Sequence, residues 1–112
     1  GEGGLAVNKA EAVRLYRLSA EQGNAWAPNN LGRMYYLGEG GLAVNKAEAV
    51  RLYRLSADQG NALAQYNLGL MYYSGEGGLK VNRAEAIRLY RLAAGQGNAR
   101  AKAQLARLGQ WP

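Results

Sequence analysis

A five-residue motif that recurs at a fixed interval constrains this chain more than any other feature of its sequence. Gly-Glu-Gly-Gly-Leu begins at Gly1, Gly38 and Gly75, which gives a period of 37 residues. A fixed period of this length is typical of repeat proteins, in which each unit buries its apolar surface against the next unit. We therefore predict a single domain, residues 1–112, made of three repeats. The repeats are residues 1–37, 38–74 and 75–111.

Each repeat contains the start and stop signals of two helices. The first, the B helix, opens at an asparagine followed three residues later by glutamate, as at Asn45 and Glu48, and stops at a glycine, Gly60. The second, the A helix, opens at the next asparagine, Asn61, and stops at the glycine of the next motif, Gly75. The chain is thus predicted to be all-α, with six helices in three hairpins. Corresponding asparagines mark the other predicted helix starts: Asn8, Asn24, Asn82 and Asn98.

Apolar residues are spaced as one face of a helix requires. On the first A helix Ala27, Leu31, Met34 and Tyr35 form one stripe. Gly32 lies beside that stripe, so that a neighbouring helix can approach closely there. A single hairpin of short helices cannot cover both of its apolar faces, and stacking on the next hairpin supplies the missing surface.

One long block of sequence is repeated without any change. Residues 1–20 and 38–57 are identical. Natural duplicates usually drift, so an identical block of this length indicates either a recent duplication or deliberate design. The second origin would make the chain a purely structural scaffold or a self-assembling unit with no natural ligand, and at the level of the sequence both origins stay open.

The composition excludes most catalytic and metal chemistry. The chain contains no Cys and no His, so it offers no thiolate nucleophile, no imidazole base and none of the nitrogen and sulfur ligands that zinc prefers. None of Ser19, Ser56 and Ser74 has a base nearby in the sequence. We predict that the protein is not an enzyme, with no catalytic residue, no cofactor and no metal site.

The sequence also lacks signals for phosphate binding and for membrane insertion. The Gly-Glu-Gly-Gly loops have no Gly-Lys-Ser/Thr ending and are predicted to be turns that stop helices. No apolar run approaches the roughly 18 residues of a membrane helix, and no targeting segment is found, so we expect a soluble chain whose compartment is undetermined. Glu48 with Arg51 and Arg54 with Asp58 are predicted to form ion pairs on a solvated helix face.

A specific set of motif residues identifies the repeat. In one copy of the motif, which runs from the second unit into the third, these residues are Leu68, Gly69, Met71, Tyr72, Gly75, Gly77 and Leu79, followed by Ala84, Ala86, Tyr90, Ala94, Gln96, Gly97, Asn98 and Ala99. The pattern resembles the Sel1-like repeat, a relative of the tetratricopeptide repeat, over essentially the whole chain. The resemblance implies a right-handed α/α superhelical solenoid that acts as a protein-binding scaffold or adaptor. It departs from the family at Leu18, Leu55 and Leu92, where the family often has lysine.

The three units differ from one another mainly on one face of the A helices, opposite Leu31. The resemblance implies that A helices line the concave surface of the solenoid. We therefore predict that this variable face holds a protein or peptide segment, since Trp, Tyr and Arg are the residue types that anchor interfaces. The predicted partner-binding residues are Trp26, Asn29, Asn30, Arg33, Leu63, Tyr66, Asn67, Leu70, Arg100, Gln104 and Arg107.

Positive charge is concentrated in the third unit, which has seven basic and two acidic residues in a chain of net charge +6. Such a cluster suits an acidic protein or peptide, or nucleic acid, or the polar end of a solenoid. Nucleic acid is disfavoured, and RNA binding is kept as a weaker alternative because other helical-hairpin repeats bind RNA. Five of these seven basic residues could meet such a partner: Lys80, Arg83, Arg100, Lys102 and Arg107.

The register of the repeats predicts weak head-to-tail self-association. The last A helix, about residues 98–110, ends where another B helix would begin, and the first B helix has no A helix before it. Each end therefore offers the surface that the opposite end is suited to cover, and such a contact does not close by two-fold symmetry. Like charges at Arg100, Lys102 and Arg107 oppose it.

Overall fold

The computed structural model describes residues 11–19 and 23–112 of the chain. These residues form six α-helices and no strand, which confirms the predicted all-α fold. We number the helices in chain order; α1, α3 and α5 are the B helices, and α2, α4 and α6 are the A helices. They are α1 (described at 11–19), α2 (Trp26–Leu37), α3 (Lys46–Asp58), α4 (Ala62–Ser74), α5 (Arg83–Gly95) and α6 (Ala99–Arg107).

Asparagine side chains begin four of these helices, as predicted. The Oδ1 atoms of Asn45, Asn61, Asn82 and Asn98 each accept a hydrogen bond from the backbone N–H three residues later. These bonds satisfy N–H groups that have no partner within the helix. The predicted cap Asn8 lies outside the described residues.

Helix α2 begins one residue later than the sequence predicts. Its first residue is Trp26 rather than Ala25. The Asn24 Oδ1 atom nevertheless accepts hydrogen bonds from the backbone N–H groups of Trp26 at 2.8 Å and Ala27 at 3.2 Å. Pro28 lies in the first turn, where its missing N–H costs no helical hydrogen bond.

Glycine ends α2 and α4, as predicted. Gly38 and Gly75 have φ angles of 73° and 71°, a left-handed conformation that residues with a Cβ atom adopt only at a cost. Their backbone N–H groups donate to the carbonyl oxygens of Met34 and Met71, both at 2.8 Å. The Gly-Glu-Gly-Gly loops after α2 and α4 are therefore helix-stopping turns.

Helix α6 is shorter than predicted. The sequence suggests an end near residue 110, whereas the helix ends at Arg107. Gly109 has a φ angle of 71° and stands where the first two A helices have Tyr35 and Tyr72. Glycine provides no packing side chain and leaves the helical conformation readily, so α6 lacks the last turn of α2 and α4.

Each inner A helix packs most closely on the B helix that follows it. The contacts of α2 with α3 and of α4 with α5 are the most extensive, so the compact hairpin runs from an A helix to the next B helix. Apolar clusters fill successive layers of this stack. One contains Val13, Leu31, Met34 and Leu52, the next includes Val50, Tyr53, Leu68 and Leu89, and the last includes Tyr66, Tyr90, Ala101 and Leu105.

A glycine on each inner A helix receives a tyrosine ring from the following B helix. A Cβ atom on Gly69 would lie 2.7 Å from Cε1 of Tyr90, and one on Gly32 would lie 3.0 Å from the Tyr53 ring. Both rings are buried. The close approach predicted at Gly32 is therefore present in two consecutive hairpins.

The last A helix differs at this position, since Ala106 stands where the inner A helices have Gly32 and Gly69. Its methyl group occupies the space that the inner glycines leave for a tyrosine ring. If the Tyr16 ring of a second copy packed on Ala106 as the Tyr90 ring packs on Gly69, that copy would have to shift. This difference weighs against head-to-tail association in that register.

A salt bridge fastens the loop after α4 to α2 and α3. Glu76 Oε2 accepts hydrogen bonds from Lys46 Nζ at 2.9 Å and from the Tyr36 hydroxyl at 2.8 Å. The bond from Lys46 is the main cause of a lowered pKa for Glu76, and the same bond raises the pKa of Lys46. The bond to Glu76, followed by burial, raises the pKa of Tyr36.

Arginines on the B helices have two kinds of partner. Arg51 forms the predicted ion pair with Glu48. The predicted pair of Arg54 with Asp58 is wrong, because Arg54 Nη2 donates instead to the hydroxyl of Tyr72 at 2.7 Å and so links α3 to α4. The pair of Arg51 and Glu48 recurs in the other units as Arg14 with Glu11 and Arg88 with Glu85.

We predict that Gly69→Ala lowers the free energy of unfolding by roughly 1–3 kcal/mol, because the added methyl group displaces a buried ring. Gly95→Ala is the matched control, since a Cβ atom at Gly95 meets no atom within 4 Å and alanine favours the helix. Urea unfolding followed by circular dichroism measures both variants. An unfolding free energy for Gly69→Ala equal to that of the unsubstituted chain would contradict the packing argument.

We predict that Glu76→Gln lowers the melting temperature at about pH 7 and has less effect in acid. The lowered pKa of Glu76 means that its carboxylate stabilises the fold above about pH 4.3, and that this contribution is lost as the pH falls through the folded pKa. Because the pKa of Lys46 is raised in the folded state, Lys46 stabilises the fold fully below about pH 10.4. This stabilisation is lost as the pH rises through the folded pKa. The difference between the two proteins should therefore be largest between about pH 5 and 10.

Thermal unfolding across this pH range measures the difference. Asp58→Asn is the control, because the Asp58 carboxylate forms no ion pair with a described residue. A melting-temperature difference for Glu76→Gln that is the same at about pH 3 and pH 7 would show that the charge of Glu76 does not stabilise the loop.

Candidate functional site

The A helices line a groove of about 490 Å³. Helices α2 and α4 supply most of its walls, and α3, α6 and the loop after α4 complete it. The groove brings together seven of the residues that the sequence predicts to bind a partner. They are Asn29, Asn30, Arg33, Leu63, Asn67, Leu70 and Arg100.

Asparagines join the two A helices across the groove. Asn67 Nδ2 donates a hydrogen bond to Asn29 Oδ1 at 3.1 Å. Asn29 is 1% exposed, so it is a buried support for Asn67 rather than the exposed contact residue that the sequence suggests. The side-chain amide oxygen of Asn67, Oδ1, has no hydrogen-bond partner among the described residues. It can accept a hydrogen bond from a ligand.

Two exposed arginines of the groove have no partner of opposite charge. Arg33 and Arg100 form no ion pair and no hydrogen bond with a described residue. Burial raises the pKa of Tyr53, which lies in the groove wall. The positive charge of Arg33 lowers this pKa, which indicates that Arg33 is close enough to act on the wall electrostatically. Both guanidinium groups can form bidentate hydrogen bonds with a carboxylate.

The acidic side chain in the groove lining is already neutralised. Glu76 lines the groove, and its carboxylate accepts hydrogen bonds from Lys46 and Tyr36. Because that charge is paired, Arg33 and Arg100 give the groove an excess of positive charge. The arrangement favours an anionic ligand over a cationic one.

Four of the predicted partner-binding residues do not line the groove: Trp26, Tyr66, Gln104 and Arg107. Trp26 is 59% exposed at the start of α2. Tyr66 is buried, and its ring centroid lies 5.9 Å from that of Tyr90. Burial, followed by the neighbouring Tyr66, raises the pKa of Tyr90 to about 12. Gln104 accepts hydrogen bonds from Arg107 at 3.1 and 2.7 Å, so these two side chains are partners of each other.

The groove also contains residues that the sequence analysis did not predict to bind a partner. Comparison of the three units could have found Leu37, because its equivalents are Ser74 and Trp111. Tyr53 is the same in all three units, and Met71 is Met34 in the first unit and the similar Leu108 in the third, so a search for variable positions passes over both. The unpredicted lining residues are Tyr36, Leu37, Tyr53, Met71 and Glu76.

The described part of the chain lacks the features of a metal site and of a membrane-spanning helix. No group of acidic residues there is arranged to hold a metal ion. None of its helices has the length and apolar character needed to cross a membrane. The Ser56 hydroxyl donates to the carbonyl oxygen of Ala25, which gives this serine a structural role between α3 and the start of α2.

Comparisons with known proteins agree with the repeat architecture. The family model of the Sel1 repeat matches residues 1–24, 28–61 and 62–98. No curated protein matches the chain. Among solved structures, a protective antigen of uropathogenic Escherichia coli strains that displays an SLR fold is 34% identical with a TM-score of 0.81, over 90% of this chain and 21% of that one.

A Sel1 repeat protein from Oxalobacter formigenes is also similar. It is 33% identical with a TM-score of 0.75, over 93% of this chain and 44% of that one. This chain thus spans less than half the length of either protein. Proteins with Sel1 repeats are generally interaction scaffolds and typically non-catalytic. The matches across all three units, together with the stacked helical hairpins, show that the chain belongs to the Sel1 repeat family.

Proposed function

We propose that this chain is a non-catalytic scaffold that binds an acidic peptide segment of a protein partner in the groove of its A helices. The observation that carries the proposal is the presence of two exposed arginines without partners, Arg33 and Arg100, in one groove. Its volume of about 490 Å³ falls within the range of roughly 300–1,000 Å³ that is usual for ligand sites.

The polar groups of the groove suit a peptide backbone as well as an acidic side chain. The hydrogen bond to Asn29 holds the Asn67 side chain in place, so the free Oδ1 atom of Asn67 is oriented before a ligand arrives. A peptide N–H can donate to this oxygen while acidic side chains of the peptide meet the arginines. Leu63 and Leu70 supply apolar contact area between the polar groups.

Three of the basic side chains of the third unit lie against aromatic rings of the chain itself. Arg83 and Arg107 lie over the ring of Tyr73, at 4.8 and 5.8 Å from its centroid, and Lys102 lies 6.0 Å from the Trp111 ring centroid. These cation–π contacts hold three of the cations against the chain's own aromatic side chains. The arrangement supports a polar end of the stack over an RNA-binding array.

We predict that Arg33→Ala with Arg100→Ala weakens binding of acidic peptides by about 1 kcal/mol or more per substitution. An array of decapeptides of equal length, in acidic, neutral and basic series, provides the probes. Arg51→Ala is the control, because Arg51 is an exposed arginine already paired with Glu48 outside the groove. Both variants should keep the unfolding free energy of the unsubstituted chain, since all three arginines are exposed.

Three results would overturn this proposal. One is equal binding of acidic peptides by the double variant and by Arg51→Ala. Another is preferential binding of the basic series. The third is tighter binding of a single-stranded RNA homopolymer than of any peptide, with loss of that binding after nuclease treatment.

A further inference from the structure

A second cleft lies between consecutive B helices and shares no lining residue with the groove. It encloses about 330 Å³ between α1, α2 and α3. Its apolar lining includes Leu31 and Leu52, which are 4% and 2% exposed. Leu55 also lines the cleft and is 39% exposed. We call this cleft, and its equivalent one unit later, the outer clefts.

An arginine and a tyrosine close one side of the cleft. Arg17 Nη2 donates a hydrogen bond to the hydroxyl of Tyr35 at 2.7 Å, and both residues belong to the lining. Because a tyrosine hydroxyl is neutral at about pH 7, this bond fixes the position of the guanidinium group without cancelling its charge. Arg51 also lines the cleft, but its charge is balanced by Glu48.

The same arrangement recurs between α3 and α5. Arg54 donates to the hydroxyl of Tyr72 at 2.7 Å, as Arg17 does to Tyr35. Leu68 and Leu89 are buried in the positions of Leu31 and Leu52. Leu92 is 45% exposed in the position of Leu55. Two consecutive units thus present a positive charge beside an exposed leucine.

Packing within the chain does not account for these leucines. The equivalent residues Leu18, Leu55 and Leu92 are 45%, 39% and 45% exposed, so about half of each side chain remains in contact with solvent. An apolar residue that is exposed at the same position in three units forms a regular surface feature rather than a scattered one. Three such positions in successive units offer a partner more apolar contact area than a single exposed leucine does.

We propose that the outer clefts bind an acidic amphipathic helix of a protein partner. A ridge of apolar side chains on such a helix fits a groove between two packed helices, as in other helix–groove complexes. Its carboxylates meet Arg17 and Arg54, which have only neutral hydrogen-bond partners among the described residues. This surface is separate from the A-helix groove, so it does not depend on the function proposed for that groove.

A labelled 18-residue helical peptide tests the proposal, with leucine at every third or fourth position and glutamate elsewhere. Fluorescence anisotropy should show binding to the unsubstituted chain. Leu55→Gln with Leu92→Gln should weaken this binding at least tenfold, because both substitutions remove the apolar contact without adding a charge. Val44→Gln with Val81→Gln is the matched control and should stay within twofold, since these two exposed valines line neither the groove nor the outer cleft.

The folded state of each variant is checked by circular dichroism and by its urea midpoint, which should not change at these exposed positions. A second peptide with glutamine in place of glutamate should bind at least fivefold more weakly than the acidic one. The proposal is overturned if the acidic peptide does not bind, if the leucine variant binds it as well as the valine variant does, or if the glutamine peptide binds equally. It is also overturned if vesicles containing phosphatidylserine bind the chain in a leucine-dependent manner and the peptide does not.

Discussion

The contact between a tyrosine ring and a helix glycine sets the spacing of this repeat stack. At Gly69 the ring of Tyr90 occupies the space where a Cβ atom would be, and the same relation holds between Gly32 and Tyr53. Such a contact fixes both the separation and the rotation of an A helix against the next B helix, because only one face of the A helix has no side chain at this point. Since that face is directed to the B helix, other faces of α2 and α4 are left to form the groove.

Local signals explain why so much of the fold could be predicted from the sequence. The asparagine caps and the left-handed glycines act within one helical turn, so their effects do not depend on distant residues. The prediction failed at the end of the last A helix, where Gly109 both removes a tertiary partner and adopts the left-handed conformation that ends a helix. Gly109 replaces the tyrosine that accepts a hydrogen bond from an arginine of the preceding B helix in the first two units, and Arg91 instead donates to Gln110. The helix end at Arg107 follows from that substitution.

The candidate site was predicted less completely, because residues vary between units for two different reasons. Arg33 differs from its equivalent Leu70, and Arg100 differs from its equivalent Leu63. Both arginines are exposed in the groove, as expected for positions that packing does not restrict. Tyr66 differs from its equivalent Asn29 for another reason, since each is buried and is matched to its own neighbour. Tyr66 packs on Tyr90, and Asn29 accepts a hydrogen bond from Asn67. Comparison of units within one chain finds both kinds of position but cannot separate them, because burial depends on which side chain the next helix supplies.

The two surfaces of the chain follow opposite rules of variation, and this difference determines what each is suited to recognise. In the groove, equivalent positions carry different residues in successive units, as with Leu63 and Arg100. A segment bound there as proposed would contact a different side chain in each unit, so it would bind in one preferred direction. In the outer clefts the pair of arginine and leucine repeats without change, as with Arg17 and Leu55 and again with Arg54 and Leu92. A repeated surface makes the same contact in each unit, so the affinity for a partner grows with the number of units that the partner spans. The specificity does not grow in the same way, because every unit selects for the same residues. The A helices therefore suit the selection of a particular sequence, and the B helices suit cumulative attachment to a partner whose own apolar and acidic residues repeat.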